Sequence, residues 1–119
     1  MSIRDFRDLE VYQQSQRLLP VIQRLGDRVK SVSRELAKNL LKTACQIGPQ
    51  IAEGYAKKSS VNEFKRYLSI AIGSTDEMIA HLEQVLLLCP TVNGESVRRL
   101  IAEYEVIVKR LQTLRRLWQ

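Results

Sequence analysis

The sequence is poor in the residues that interrupt helices. It has only five glycines and three prolines among 119 residues, and no stretch of low complexity. Because glycine and proline most strongly disfavour helix interiors, their scarcity favours long helices. No segment shows the strict apolar–polar alternation that is typical of a half-buried strand.

Cysteine is also scarce. The two cysteines, Cys45 and Cys89, form no CxxC motif, and a chain of this length buries enough surface to fold without a disulfide or a metal. Each falls at an apolar position of a predicted helix. We therefore interpret both as small buried apolar side chains.

Residue patterns that carry catalysis are missing. His81 is the single histidine, one turn after Glu77, whereas the di-metal sites of helical bundles need two Glu-x-x-His motifs. We see no nucleophile–base pair, phosphate-binding loop or cofactor motif. We therefore expect no enzyme, no metal and no cofactor.

Long apolar runs are absent as well. No run approaches the roughly 20 residues of a membrane span, and the charged beginning, MSIRDFRDLE, lacks the apolar core of a signal peptide. We expect a soluble, cytoplasmic protein that does not bind membranes. With 45% hydrophobic and 27% charged residues, the composition favours one globular domain over residues 1–119.

Apolar periodicity predicts four helices, over residues 9–25, 33–56, 62–89 and 94–118. In the third, one seam steps by four and three for nearly four heptads. Its positions are Phe64, Leu68, Ala71, Thr75, Met78, Leu82, Val85 and Cys89. Because the connections are short, the expected fold is all-α, an up-down-up-down antiparallel four-helix bundle.

Helix-breaking and helix-capping residues predict where the helices begin, bend and end. Pro20 interrupts the first helix and Gly26 ends it. Pro49 should kink the second helix without breaking it. Ser60 and Glu63 have the spacing of a capping box at the start of the third helix.

The last two helices carry more apolar surface than one small core needs. A second stripe runs beside the main seam of each helix, and leftover apolar area favours a subunit interface. We expect a homo-oligomer, with tilted, fully inward-packed helices as the alternative. Gly73 lies inside the third helix, where we expect the close approach of another helix, with a ligand pocket as the alternative.

The chain is basic, with a net charge of +6, which suits anionic partners. Basic doublets recur along it and could neutralise phosphates of RNA or DNA. The candidate contacts are Lys57, Lys58, Lys65, Arg66, Arg98, Arg99, Lys109, Arg110, Arg115 and Arg116. The alternatives are a solvated surface, or a protein-interaction scaffold without a nucleic-acid role.

Glu53 and Gly54 end the second helix. A carboxylate is disfavoured there by the helix dipole. We therefore interpret Glu53 as orienting the turn into the third helix through Lys57, Lys58 or Arg66.

Three segments carry a family resemblance: FRDLEVYQQS (6–15), IAEGYAKKS (51–59) and EFKRYLSIAIGSTDEM (63–78). They resemble the bacterial four-helix bundle proteins encoded in intervening sequences of 23S ribosomal RNA genes. The resemblance covers nearly the whole chain and implies a cyclic homo-oligomer, with a pentamer favoured. Related bundles include the accessory variability proteins of diversity-generating retroelements. This relation implies nucleic acid and a reverse transcriptase as partners.

Overall fold

A computed structural model describes residues 3–119, and this part of the chain is all-α. Helical residues make up 83% of residues 3–119, and this part of the chain contains no strand. A short 3-10 helix, Phe6–Asp8, precedes five α-helical segments. They are α1 (Glu10–Arg17), α2 (Leu19–Val29), α3 (Arg34–Ala56), α4 (Val61–Leu88) and α5 (Gly94–Leu117). The all-α prediction is confirmed.

The predicted first helix is divided into α1 and α2, which are separated by Leu18 alone. Pro20 is the second residue of α2, a position where its missing N–H removes no helical hydrogen bond. The prediction that Gly26 ends this helix is wrong. Gly26 is buried inside α2, and the helix continues to Val29, whose side chain is fully buried in the core.

Helix α4 is held by the predicted seam. Every position from Phe64 to Cys89 on that seam is buried. Ser60 caps the helix by accepting a hydrogen bond from the Glu63 amide at 3.2 Å. The second half of the expected capping box is missing, because the Glu63 carboxylate turns instead to Arg66. The side-chain cap on its own accounts for the start of the helix.

Helix α4 packs against both α3 and α5, and α3 also packs against α2 and α1. Between α3 and α4, Thr43 donates a hydrogen bond to Glu77, and Ser74 donates to Gln50. Helix α3 continues through Pro49 without interruption. These contacts join all the helices around one apolar core.

The two cysteines differ in exposure. Cys89 is buried at the end of α4 as expected, whereas Cys45 is exposed on α3. The interpretation of Cys45 as a buried residue is therefore wrong. The core face of α3 is formed by Leu40, Ala44 and Ile47, and the helical turn points Cys45 away from them.

Of the helices formed by residues 3–119, none combines the length and the apolar character needed to cross a membrane.

Tyr104 places a polar atom in the core. Its side chain is fully buried, and its hydroxyl has no hydrogen-bond partner within residues 3–119. Burial raises the pKa of the phenol above its ordinary value of 10.0, and the Cys45 thiol adds to this effect. An unpaired buried hydroxyl costs about 1–3 kcal/mol of stability, so this group opposes folding.

We expect Tyr104→Phe to increase the free energy of unfolding by about 1 kcal/mol, because it removes only the unpaired hydroxyl. Since the folded pKa is raised, ionisation above pH 10.0 favours the unfolded chain. The natural protein should therefore lose stability as pH rises above that value, and the variant should lose less. Urea denaturation at neutral and alkaline pH measures both effects. Tyr12→Phe is the control, and a less stable Tyr104→Phe at neutral pH would contradict the expectation.

Candidate functional site

Six of the predicted basic residues lie at one end of the molecule. The turn between α3 and α4 meets the last turn of α5 there, since the Trp118 ring packs edge-on against Phe64 at 4.6 Å between centroids. Trp118 also lies 6.3 Å from the Tyr55 ring. We call this surface the basic end, and its cations are Lys57, Lys58, Lys65, Arg66, Arg115 and Arg116.

Aromatic rings hold the basic end together. The Lys57 ammonium lies 5.8 Å and the Arg66 guanidinium 4.7 Å from the centroid of the Tyr67 ring. The Lys58 ammonium lies 4.3 Å from that of Tyr55. Because these rings attract cations through their π faces, the positive charges are gathered and not spread by mutual repulsion.

Hydrogen bonds fix two of the arginines. Arg115 donates to the Ser69 hydroxyl at 2.9 Å, which ties α5 to α4. Arg66 donates two hydrogen bonds to Glu63, and these bonds hold the pKa of the Glu63 carboxyl below its usual value. The charge of Arg66 is thus already compensated, whereas Lys57, Lys58 and Lys65 form no ion pair within residues 3–119.

The other four predicted residues lie elsewhere. Arg98 and Arg99 are in the first turns of α5, about 25 Å from Arg115 along the helix. Lys109 is exposed near the middle of α5. Arg110 faces α1, where it donates to Gln14 at 2.9 Å and lies 3.7 Å from Glu10. The ten basic residues therefore do not form one continuous surface.

The aromatic residues of the basic end were missed by sequence reasoning, which considered cations alone. Tyr67 directly follows Arg66, and Tyr55 is two residues before Lys57. Aromatic residues interleaved with basic ones were the available signal. In the structure Lys57, Lys58 and Arg66 lie over the faces of these rings.

The expected partners of Glu53 are not in place. Glu53 is exposed, and within residues 3–119 it forms no ion pair with Lys57, Lys58 or Arg66. Gly54, by contrast, lies at a close contact between α3 and α4. A Cβ atom added there would lie only 2.6 Å from the Cβ atom of Tyr67.

His81 lies on α4 one turn after Glu77, with 3.3 Å between Nε2 and Oε2. That nitrogen is buried and lacks hydrogen-bond geometry to any group in residues 3–119. The described residues contain no group of three His, Cys, Asp or Glu side chains that could hold a metal ion.

Together these observations define a small all-α protein with a basic, aromatic-lined end. The family model described as 23S rRNA-intervening sequence protein matches residues 7–113, and the chain belongs to this family. The family resemblance seen in the sequence is thus confirmed. Comparisons with curated proteins and with solved structures found no match.

The two helical glycines Gly54 and Gly73 should respond oppositely to alanine. Gly54→Ala should lower the free energy of unfolding by about 1–3 kcal/mol, since the new methyl group meets the fixed Tyr67 Cβ atom. At Gly73 nothing lies within 4 Å of an added Cβ atom. Gly73→Ala should therefore raise the free energy of unfolding by up to about 1 kcal/mol, because alanine has the higher helix propensity. Thermal denaturation of both variants at low concentration measures the change in melting temperature. Equal changes in the two variants would contradict the expectation.

Proposed function

We propose that this protein is a non-enzymatic, oligomeric helical bundle that binds the backbone of RNA or DNA. The observation that carries the proposal is the cluster of six cations at the basic end, where Lys57 and Arg66 lie over the Tyr67 ring and Lys58 lies over the Tyr55 ring. Lysines without ion pairs release counterions from phosphates when they bind. Tyr67 and Trp118, which are half-buried, leave part of their rings accessible to unpaired bases, whereas Tyr55 is buried.

The bundle topology is the first part of this proposal: α1 with α2, α3, α4 and α5 run up-down-up-down. Residue pairs between neighbouring helices support it. Thr43 pairs with Glu77 near the middle of α3 and α4, whereas Gly54 meets Tyr67 nearer the connecting turn. Such opposed numbering is typical of antiparallel neighbours joined by short loops.

Self-association is the second part. The outward face of α4 carries a stripe of Ile70, Gly73, Ala80 and Leu87, which are three and seven residues apart, with the polar Glu77 and Gln84 between the last three. Ile70 is 39% exposed and Leu87 is 81% exposed, and the open space at Gly73 would admit a neighbouring helix. The family resemblance favours a cyclic pentamer. In such a ring every copy would present its basic end, which would multiply weak phosphate contacts.

A protein-interaction scaffold is the second candidate function. The apolar side chains exposed outside the α4 stripe favour it, since Leu88 and Leu117 have more than half of their surface in contact with solvent. A nucleic-acid enzyme such as a reverse transcriptase would then be the partner, in keeping with the family resemblance. The cytoplasm is the proposed compartment for either role.

Nucleic-acid binding can be tested with the variant Lys57→Gln/Lys58→Gln/Lys65→Gln. These lysines have no ion pairs to lose, so the fold should persist while affinity for a structured RNA falls about tenfold or more. Each lost phosphate contact should also make the plot of log affinity against log salt less steep, by about 0.7 for single strands. Fluorescence anisotropy across a salt series measures affinity and slope.

A charge-matched control for this experiment is Arg17→Gln/Arg24→Gln/Arg28→Gln, on exposed positions of α1 and α2. It lowers the net charge equally, and we expect a smaller loss of affinity. Equal losses in both variants would show that total charge, and not the basic end, controls binding. If the natural protein binds neither RNA nor DNA at low salt, the scaffold is the better explanation.

Self-association can be tested with Ile70→Gln/Leu87→Gln. Because both side chains are already exposed, the substitutions should leave the helices intact and lower the mass measured by light scattering to that of one chain. Leu117→Gln, outside the stripe, is the control and should keep the assembled mass. An unchanged mass in the double variant would remove this stripe from the interface.

A further inference from the structure

A groove between α2 and α3 gathers basic residues that none of the doublets includes. Its volume is about 800 Å³, and Lys30, Arg34, Lys38 and Lys42 all line it. Asp27 is the single carboxylate among the lining residues. The groove therefore has four cations against one anion, on a face away from the basic end.

Three of these cations form a row along one side of α3. Arg34, Lys38 and Lys42 are four residues apart on α3, so they lie on one face of the helix with a rise of about 6 Å between neighbours. All three are exposed. Lys30, at the end of α2, closes the groove next to Arg34.

The positive charges of this row are not paired with carboxylates of the protein. Like charges four residues apart destabilise a helix, and within residues 3–119 none of Arg34, Lys38 and Lys42 forms an ion pair. The pair between Lys30 and Asp27 is long, at 3.9 Å, and both side chains are well exposed. A bound anion would relieve this repulsion along the whole row.

We propose that the groove between α2 and α3 binds the phosphate backbone of a single-stranded nucleic acid through Arg34, Lys38 and Lys42. This inference rests on the proposed nucleic-acid function and adds a second contact surface to it. The rise between the cations suits successive phosphates of an extended strand. The groove runs beside this row between the two helices, so one strand lying along it would meet the three cations in succession.

The lining also indicates how such a strand is bound. None of the nine lining residues is aromatic, so the groove offers no ring on which bases can stack. Contacts to phosphates alone carry no sequence information. Oligouridylate and oligoadenylate should therefore bind the groove with equal affinity, unlike strands that stack on the aromatic rings of the basic end.

The test compares Arg34→Gln/Lys38→Gln/Lys42→Gln with the control Arg17→Gln/Arg24→Gln/Arg28→Gln, which removes as many charges elsewhere. The probe is a labelled oligouridylate of about 20 nucleotides, longer than typical single-strand sites. We expect the groove variant to lose affinity about tenfold or more, and its salt slope to fall by about 2. Its melting temperature should stay equal or rise, because the like-charge row is gone.

The outcomes separate this inference from the proposed function. If the natural protein binds structured RNA but not the oligouridylate, only the groove inference fails, and if it binds neither, both fail. If the variant at Lys57, Lys58 and Lys65 loses binding while the groove variant keeps it, only the groove inference fails. If the groove variant loses binding while the variant at those lysines keeps it, the groove inference stands and the basic end is no contact surface.

Cys45 provides a positional readout in the natural protein. It is exposed on α3 one turn beyond Leu41 and Lys42, whereas Cys89 is buried. A photoreactive group attached to Cys45 should crosslink to the oligouridylate, and excess unlabelled oligouridylate should suppress the product. Absence of a crosslink with bound probe would overturn the assignment.

Competition identifies the chemical class of the ligand. Oligoglutamate of the same length should displace the oligouridylate poorly, because its carboxylates do not reproduce the charge or spacing of phosphates. Displacement by oligoglutamate at equal concentration would instead assign the groove to an acidic protein segment. Displacement by inorganic phosphate at the same phosphate concentration would show a site for single phosphate ions.

Discussion

The burial of one face of α4 is the constraint on which the rest of the structure depends. This helix contributes an unbroken row of buried side chains from Phe64 to Val85 and packs on both α3 and α5. Such an extended apolar row cannot be left in water, since each large side chain gains about 1.5–3 kcal/mol on burial. The positions of α3 and α5 along α4 follow from it, and with them the meeting of Trp118 and Phe64.

Local patterns were sufficient to predict much of this fold. Ser60 caps the helix that follows it, and the seam of α4 appears in the sequence at its full length. Features that depend on neighbouring helices were not predictable in this way. Gly26 continues its helix, and Val29 beyond it is buried in the core. Cys45 and Glu63 differ from expectation for local reasons, because Cys45 lies on the outer side of α3 and Glu63 pairs with Arg66 on its own helix.

The same limit applies to the candidate site. Basic doublets are visible in the sequence, but which of them meet depends on helix direction and length, so Arg98 and Arg115 lie far apart on one helix. The basic row on α3 was missed because its members are four residues apart and not adjacent. Along α4, by contrast, Asp76, Glu77 and Glu83 are exposed, so the second half of this helix adds negative charge to the surface.

Helix α3 combines Gly48, Pro49 and Gly54 within its second half. Relative to alanine these residues disfavour an isolated helix by about 5 kcal/mol in sum, so this half depends on packing against α4 and α1. Synthesis on the ribosome produces α3 before α4. We expect the nascent α3 to stay unfolded until α4 has emerged, so that a pause in translation between them would prolong the exposure of an unfolded apolar segment.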